Sequence, residues 1–259
     1  MILGTNWLGI RSLYVKEVRR FFKVQLQTIW APAVTTLLFL AVFTVALGSQ
    51  RSAVLGMPYA DFLAPGLIIM GMVQNAFANS SSSILVSKVQ GTIVDVLMPP
   101  LSPGELTAAY VAGSITRAWC VGLAIWGAML LWPGVDITVH HPLQVLFFGT
   151  MGAALLALMG MLTGIWADKF DHGAAVTNFV VQPLTLLSGT FYAIDRLSPR
   201  FQAFSRSNPF FYMIDGFRSG FTGVAEANPW FGGAIITILT LILWAVTYAL
   251  LKSGWKLRA

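Results

Sequence analysis

Residues 87–105 read Ser-Lys-Val-Gln-Gly-Thr-Ile-Val-Asp-Val-Leu-Met-Pro-Pro-Leu-Ser-Pro-Gly-Glu, a polar interruption between two long apolar runs. Val89, Ile93, Val96 and Leu97 recur at i, i+4, i+7 and i+8, which predicts one apolar face of a short helix over 87–98. Lys88, Gln90, Thr92 and Asp95 supply the polar remainder. Pro99 and Pro100 stop the helix, because proline lacks the N–H and disfavours helical backbone in the residue before it. A short amphipathic helix between two membrane spans is either a docking element for a soluble partner or an ordinary solvated loop. The pattern alone leaves both open.

The surrounding composition requires a membrane. Of 259 residues, 56% are hydrophobic and only 10% are charged. An ordinary soluble domain carries roughly 25% charged residues. Charge this scarce cannot cover a soluble surface, and the length leaves little room for a separate soluble domain. The fold class expected is all-α and polytopic, because backbone polar groups at membrane depth must pair within their own segment. The single cysteine, Cys120, excludes an internal disulfide and a cysteine-cluster metal site. His140, His141 and His172 do not have zinc-motif spacing. Residues 1–28 carry charges where a secretory signal would be apolar, so no signal peptide is expected.

Six spans are predicted, over residues 29–47, 62–86, 108–132, 143–166, 173–191 and 229–251. The first, about 19 residues at 1.5 Å each, gives about 28 Å, close to the hydrocarbon thickness. Ahead of it, residues 7–25 read as an amphipathic helix in the membrane interface. Trp7, Ile10, Tyr14, Val18 and Phe21 share one face, and Lys16, Arg19, Arg20 and Lys23 the opposite one, with Arg11 and Glu17 between. Of sixteen Lys and Arg, ten from Arg11 to Arg258 fall on the N-terminal side of the membrane. Arg51, Arg196, Arg200, Arg206 and Arg218 fall on the other, and Arg117 lies within a span. The excess predicts cytoplasmic N- and C-termini, and so a cytoplasmic 87–98 stretch.

Residues 192–228 read as two short amphipathic helices dipping into the outer leaflet. Ser198-Pro199 and Asn208-Pro209 each look like an N-cap followed by proline at the first helical position, and Asn228-Pro229 repeats this at the last span. Phe210, Ile214, Phe217 and Phe221 recur at helical spacing. Within the spans, Asn75 and Asn79 share a face of the second, and Asn178 and Gln182 lie in the fifth. Such polar stripes either line a pathway or hydrogen-bond between helices. Arg117 either snorkels to the inner interface or pairs with a buried acid. Gly160 and Gly164 form a GxxxG that permits close helix contact.

The chain has no GxxxxGK[ST] phosphate-binding loop and no catalytic Ser/His/Asp or metal constellation, so it is expected not to be an enzyme and to need no cofactor. Asp61, Asp136, Asp168, Asp171 and Glu226 fall near predicted span ends, and no buried carboxylate pair for an ion relay is expected. Any energy source should come from another chain.

The sequence resembles the ABC-2 type transporter permeases, the membrane subunits of a class of bacterial ABC exporters. The resemblance is carried by Tyr14-Val15-Lys16-Glu17-Val18-Arg19-Arg20, Ala64-Pro65-Gly66-Leu67, and Gly91-Thr92-Ile93 through Pro99-Pro100-Leu101-Ser102-Pro103. Leu187-Ser188-Gly189-Thr190-Phe191-Tyr192 and Asn208-Pro209-Phe210-Phe211-Tyr212 complete it, over almost the whole chain. It is nearest to the branch holding drug, nodulation-factor and polysaccharide exporter permeases.

The resemblance implies one transmembrane domain over 1–259, paired with a second permease copy as a homodimer. Two separate ATP-binding subunits would dock on it. Residues 87–98 would be the coupling helix, with Val89, Gly91, Ile93, Asp95, Val96 and Leu97 meeting the ATPase. Residues 7–25 would be the interfacial helix, with Lys16, Glu17, Arg19 and Arg20, and 192–228 would hold re-entrant outer helices. The family often has Glu or Arg where this chain has Thr92 to Asp95. Membrane lipid is an expected partner and nucleic acid is not. The function implied is export of an amphipathic, lipid-linked or drug-like substrate across the inner membrane by alternating access, along a path lined in part by Asn75, Asn79, Asn178 and Gln182. The competing reading is a secondary carrier or channel that uses no ATPase.

Overall fold

The computed structural model describes residues 5–47 and 53–257. Arg51 and Arg258, both counted in the charge asymmetry, lie outside the described residues. Helix α1 (Trp7–Phe22) is followed by a π-helical turn, Leu26–Trp30, that runs straight into α2 (Ala31–Leu47). Then come α3 (Tyr59–Val89), α4 (Ile93–Leu97), α5 (Pro103–Met129) and α6 (Pro142–Trp166). A segmented run follows: α7 (Phe170–Val176), a second π turn (Thr177–Val181) and α8 (Gln182–Leu186). Helices α9 (Pro199–Ser207), α10 (Pro209–Thr222) and α11 (Pro229–Ser253) complete the chain. Among the described residues the only strand-like pairing is an isolated bridge between Val54 and Met57.

Among the described residues, five helical stretches are long and apolar enough to cross a membrane: Leu26–Val45, α3, α5, α6 and α11. The span expected over 173–191 is instead three helical pieces of 7, 5 and 5 residues, about 25 Å in all. Pro183 explains the segmentation. Its missing N–H and its ring disrupt the turn before it, and the π turn absorbs the mismatch. Gly189, at φ +74°, then turns the chain away.

The helix expected over 87–98 is likewise divided. Val89 is the last residue of α3, Gly91 takes φ +73°, and α4 holds only 5 residues. A left-handed glycine just past a helix end is a common stop, and here its N–H donates to the Lys88 carbonyl at 3.0 Å.

Helix α3 is the hub. Of its most apolar window 83% is buried, against 28% for Leu26–Val45 and 17% for α11, so those two form the outside of the bundle. Helix α3 packs on α6, α5, α10 and α2. The α3–α6 contact is close because α6 presents glycine. A Cβ on Gly164 would lie 2.8 Å from Ile84 Cβ and 3.0 Å from the Ser81 carbonyl oxygen. Gly160 faces the Phe77 carbonyl and Ser80, whose hydroxyl donates to the Ala157 carbonyl at 2.6 Å.

The helix starts follow local chemistry. Ser102 and Glu105 form a reciprocal capping box at α5. Asn208 and Asn228 accept from the N–H groups of Phe210 and Trp230 at 3.1 and 2.9 Å. Ser198 makes no such bond, although Pro199 still opens α9. Phe210, Ile214, Phe217 and Phe221 are all buried, and α10 packs on α6, α11 and α3. Their expected contact with the outer leaflet is replaced by packing inside the bundle. The exposed aromatic residues of this region are Phe201 and Phe204 on α9.

Gly160→Val should overpack the α3–α6 contact and destabilise the protein by about 1–3 kcal/mol, seen as a lower melting temperature and a smaller monodisperse fraction in detergent. Gly127→Val, where a Cβ meets nothing within 4 Å, should change neither.

Candidate functional site

Helix α1 is fixed to the bundle from its first residue. The Asn6 side chain caps it by accepting from Gly9 N–H at 2.9 Å. The Asn6 N–H donates to Glu105 at 2.6 Å, and the other Glu105 oxygen accepts from Ser102 N–H at 2.7 Å. One carboxylate therefore joins the starts of α1 and α5.

Further along α1, Leu13, Glu17 and Phe21 form the buried stripe, while Lys16 and Arg19 stay exposed. Trp7, read on the membrane-facing side, is 74% exposed and lies outside this stripe. Glu17 is completely buried. It accepts from Ser83 Oγ at 2.8 Å and pairs with Arg20 at 3.0 Å. Arg20 continues inward, donating to the Asn79 carbonyl at 2.8 Å, to the Asn79 side chain at 3.0 Å and to Ser82 at 3.3 Å.

The expectation that Arg20 faces headgroups with Lys16, Arg19 and Lys23 is thus corrected. Glu17 one turn earlier and the polar stripe of α3 hold it inside. The signal was present as an acid and an arginine at i, i+3 facing a helix rich in Asn and Ser.

Helix α4 sits beneath the bundle on Ile93, Val96 and Leu97, which close a small space with Ile84, Leu106 and Tyr110. Its other side presents Val94 and Asp95, and the flanking Val89, Gly91 and Met98 are exposed with them. The apolar face read from 87–98 is therefore split: Ile93, Val96 and Leu97 point at the bundle and Val89 points away.

Beside α4, Lys88 donates to the Ile165 and Ala167 carbonyls at 2.7 and 2.6 Å, at the C-terminal end of α6. Lys256 reaches the Trp166 carbonyl at 2.9 Å. Asp168 pairs with both lysines, at 3.4 and 2.6 Å. The hydrogen bond from Lys256 holds the Asp168 carboxyl below the usual carboxylate range, with Lys88 adding to the effect.

The polar residues within the helices divide into two groups. Asn75 and Asn79 are buried. Asn79 donates to Ser114 on α5 at 3.1 Å, and Asn75 accepts from Arg117 at 2.8 Å. Of the two alternatives read for Arg117, snorkelling or pairing with a buried acid, neither is seen: it is buried and pairs with this amide, while Glu17 is engaged by Arg20. Asn178 and Gln182 are exposed on the segmented run and join neither amide. The link between the groups is Gln74, which donates to Thr185 at 3.3 Å. Between α2 and α3 lies a groove of about 340 Å³ lined by Gln27, Thr35, Gln74 and Asn75 together with Phe39 and Met70.

On the opposite side, Arg218 is fully buried although it was read as an outer-loop charge. It donates to the Gly189 carbonyl at 2.7 Å, pairs with Glu226 at 3.5 Å and lies 3.9 Å over the Phe62 ring. Glu226 also accepts from Ile194 N–H at 2.7 Å, and Asp215 accepts from the N–H groups of Glu226 and Ala227 at 3.1 and 2.9 Å. Buried carboxylates do occur outside the long helices: Asp215 and the side chain of Glu226 lie around one arginine. Sequence reasoning missed the cluster because Arg218 was counted as an outer-loop charge and Asp215, one turn earlier on the same aromatic helix, was given no role.

Long apolar helices packed around α3, with polar side chains bonded between α1, α3 and α5, define a multi-pass membrane protein. The sequence matches the family model described as ABC-2 type transporter over residues 9–222, and the chain belongs to this family. It is 33% identical to the inner membrane transport permease YadH of Escherichia coli (strain K12) over 253 residues, 98% of either chain. It is 25% identical to nodulation protein J of Rhizobium leguminosarum bv. viciae over 256 residues, covering 96% of this chain and 95% of that one. Five apolar helices and an inner-membrane relative make it a multi-pass inner membrane protein. Permeases of this family generally work with an ATP-binding subunit.

Two outcomes follow. Arg218→Met should destabilise the protein by about 3–5 kcal/mol in denaturation assays, because it strands a buried carboxylate. Arg200→Met, at an exposed position, should have little effect. Asp168 stabilises fully above its unfolded value of roughly 3.9, and that contribution is lost as pH falls through its lower folded value. Melting temperatures of wild type and Asp168→Asn should therefore differ at pH 7 and converge in strong acid.

Proposed function

We propose that the chain is the membrane-spanning subunit of an ATP-driven exporter, with ATP bound and hydrolysed by a separate chain. The observation that carries this reading is α4. It is seated from above by Val96 and leaves Val89, Val94 and Met98 at 47%, 54% and 75% exposure around Asp95. An apolar patch with a single acid, below a bundle whose underside is otherwise lysine-rich, fits a soluble partner better than water. Lys16 and Arg19 of α1 stand exposed as a second contact for that partner or for anionic headgroups.

In this reading the N- and C-termini are cytoplasmic, and two permease copies carry two ATP-binding subunits. The segmented run Phe170–Leu186 is the sixth crossing, completed against the second copy, with Asn178 and Gln182 facing the shared path and Asn75 and Asn79 behind it. Closure of the ATPase pushes α4. Because α4 follows α3 through only a glycine turn, the motion reaches α3, α1 and the path together. The cargo is an amphipathic molecule, moved outward by alternating access.

The test is binding of the cognate ATP-binding subunit, identified by co-purification from the native host. Val94→Asp with Met98→Asp should weaken that binding at least about tenfold while leaving the permease folded, since both positions are exposed. Unchanged binding and unchanged ATPase stimulation would refute the assignment.

A further inference from the structure

Arg117 is a cation in the middle of a long apolar helix, and its charge is unanswered. It is 8% exposed and makes one hydrogen bond, to Asn75. Its Nε has no partner. No carboxylate among the described residues lies within ion-pair distance of it. Glu17, the acid of this cluster, is already used by Arg20 and Ser83. The cluster of Glu17, Arg20 and Arg117 therefore carries one excess positive charge. A buried guanidinium in that condition is expensive, and in a span it marks a site that an anion completes.

The surroundings supply a route. Asn75, the partner of Arg117, also forms the wall of the α2–α3 groove. Its other end is tied to the Gly71 carbonyl at 3.0 Å, so the amide stands between the guanidinium and the groove. The groove is mixed in a useful way: the Gln27 and Gln74 amides offer donors, and Phe39 and Met70 offer apolar walls. Its volume of about 340 Å³ holds roughly ten waters or a small charged headgroup. One wall, Gln27, belongs to the π turn before α2, and π turns of this kind are frequent at functional sites. Helix α2 keeps most of its surface unburied, so apolar surface continues from the groove along α2.

We propose that the groove between α2 and α3 binds the anionic headgroup of an amphiphile, a phosphate or carboxylate, with Asn75 as the first contact and Arg117 as the charge that holds it. Arginine suits this task because its planar fork matches both oxyanions and it cannot be neutralised. The tails remain against the exposed face of α2. This names the cargo class for the path proposed above and rests on that reading for its place in transport. The binding itself needs no ATPase, so the two readings fail separately.

The experiment uses the full-length purified permease in neutral detergent, with dihexanoyl phosphatidic acid, dihexanoyl phosphatidylcholine and inorganic phosphate as probes. Wild type should bind phosphatidic acid at least tenfold more tightly than phosphatidylcholine. The decisive variant is Asn75→Asp, which is isosteric and places a carboxylate on Arg117. It should keep or raise the melting temperature and yet lose phosphatidic acid binding at least tenfold. Arg117→Gln should lose the same binding, and Lys252→Gln, at an exposed inner cation, should not.

If inorganic phosphate competes, the headgroup alone is recognised. If it does not, the tails contribute; either result fits the site. Undiminished phosphatidic acid binding by a folded Asn75→Asp protein, or an equal loss with Lys252→Gln, would overturn the proposal.

Discussion

The buried carboxylate of Glu17 is the constraint on which the arrangement depends. A charge taken wholly out of water needs partners on every side, and Glu17 finds them on two helices at once: Arg20 on its own and Ser83 on α3. Arg20 then carries the connection to Asn79 and Ser82, and Asn79 passes it to Ser114 on α5. Such a network adds little net stability compared with well-packed apolar side chains. What it fixes is register. Helix α1 can sit in only one rotation and at one height, because a shift of one residue would leave a charge unpaired at depth.

From that register the rest follows in sequence. The start of α1 meets the start of α5 through Glu105, which ties the two helix starts together. Helix α3, held in its C-terminal third by α1 and along its length by the glycine face of α6, extends to Val89 and hands over to α4 across Gly91. Lys88 ties that handover to the end of α6, and Asp168 draws the C-terminal turn into the same knot through Lys256. On the far side Arg218 gathers Gly189 and Glu226 in a second charged centre. The bundle is thus pinned near both ends by buried ions, with apolar packing between them, and its least covered parts are α2, α11 and the segmented run.

How much of this the sequence disclosed depended on whether the cause was local. The caps at Asn208 and Asn228 were legible because a polar side chain followed by proline acts within three residues, whereas Ser198, read the same way, makes no capping bond and the Ser102–Glu105 box was not read. The long helices were legible because hydropathy is a property of the segment itself. The run over 173–191 was read as one span because its composition is apolar, whereas Pro183 and Gly189 govern its shape. The inward turn of Arg20 and Arg218 was hidden for another reason. Periodicity sends charges outward by default, and only a partner on a distant helix reverses it. Arg117 was seen to be anomalous from its position alone. Its amide partner, and the absence of an acid within reach among the described residues, needed coordinates.

The claim that Glu17 sets the position of α1 is tested most directly by hydrogen–deuterium exchange of the purified protein in detergent, comparing wild type with Glu17→Gln. The substitution keeps the size of the side chain and removes its charge, leaving Arg20 without its acid. The account predicts that amides of α1 lose protection while those of α6 keep theirs. Unchanged protection across residues 7–22 would contradict it, and would mean that Leu13 and Phe21 hold the helix by packing alone.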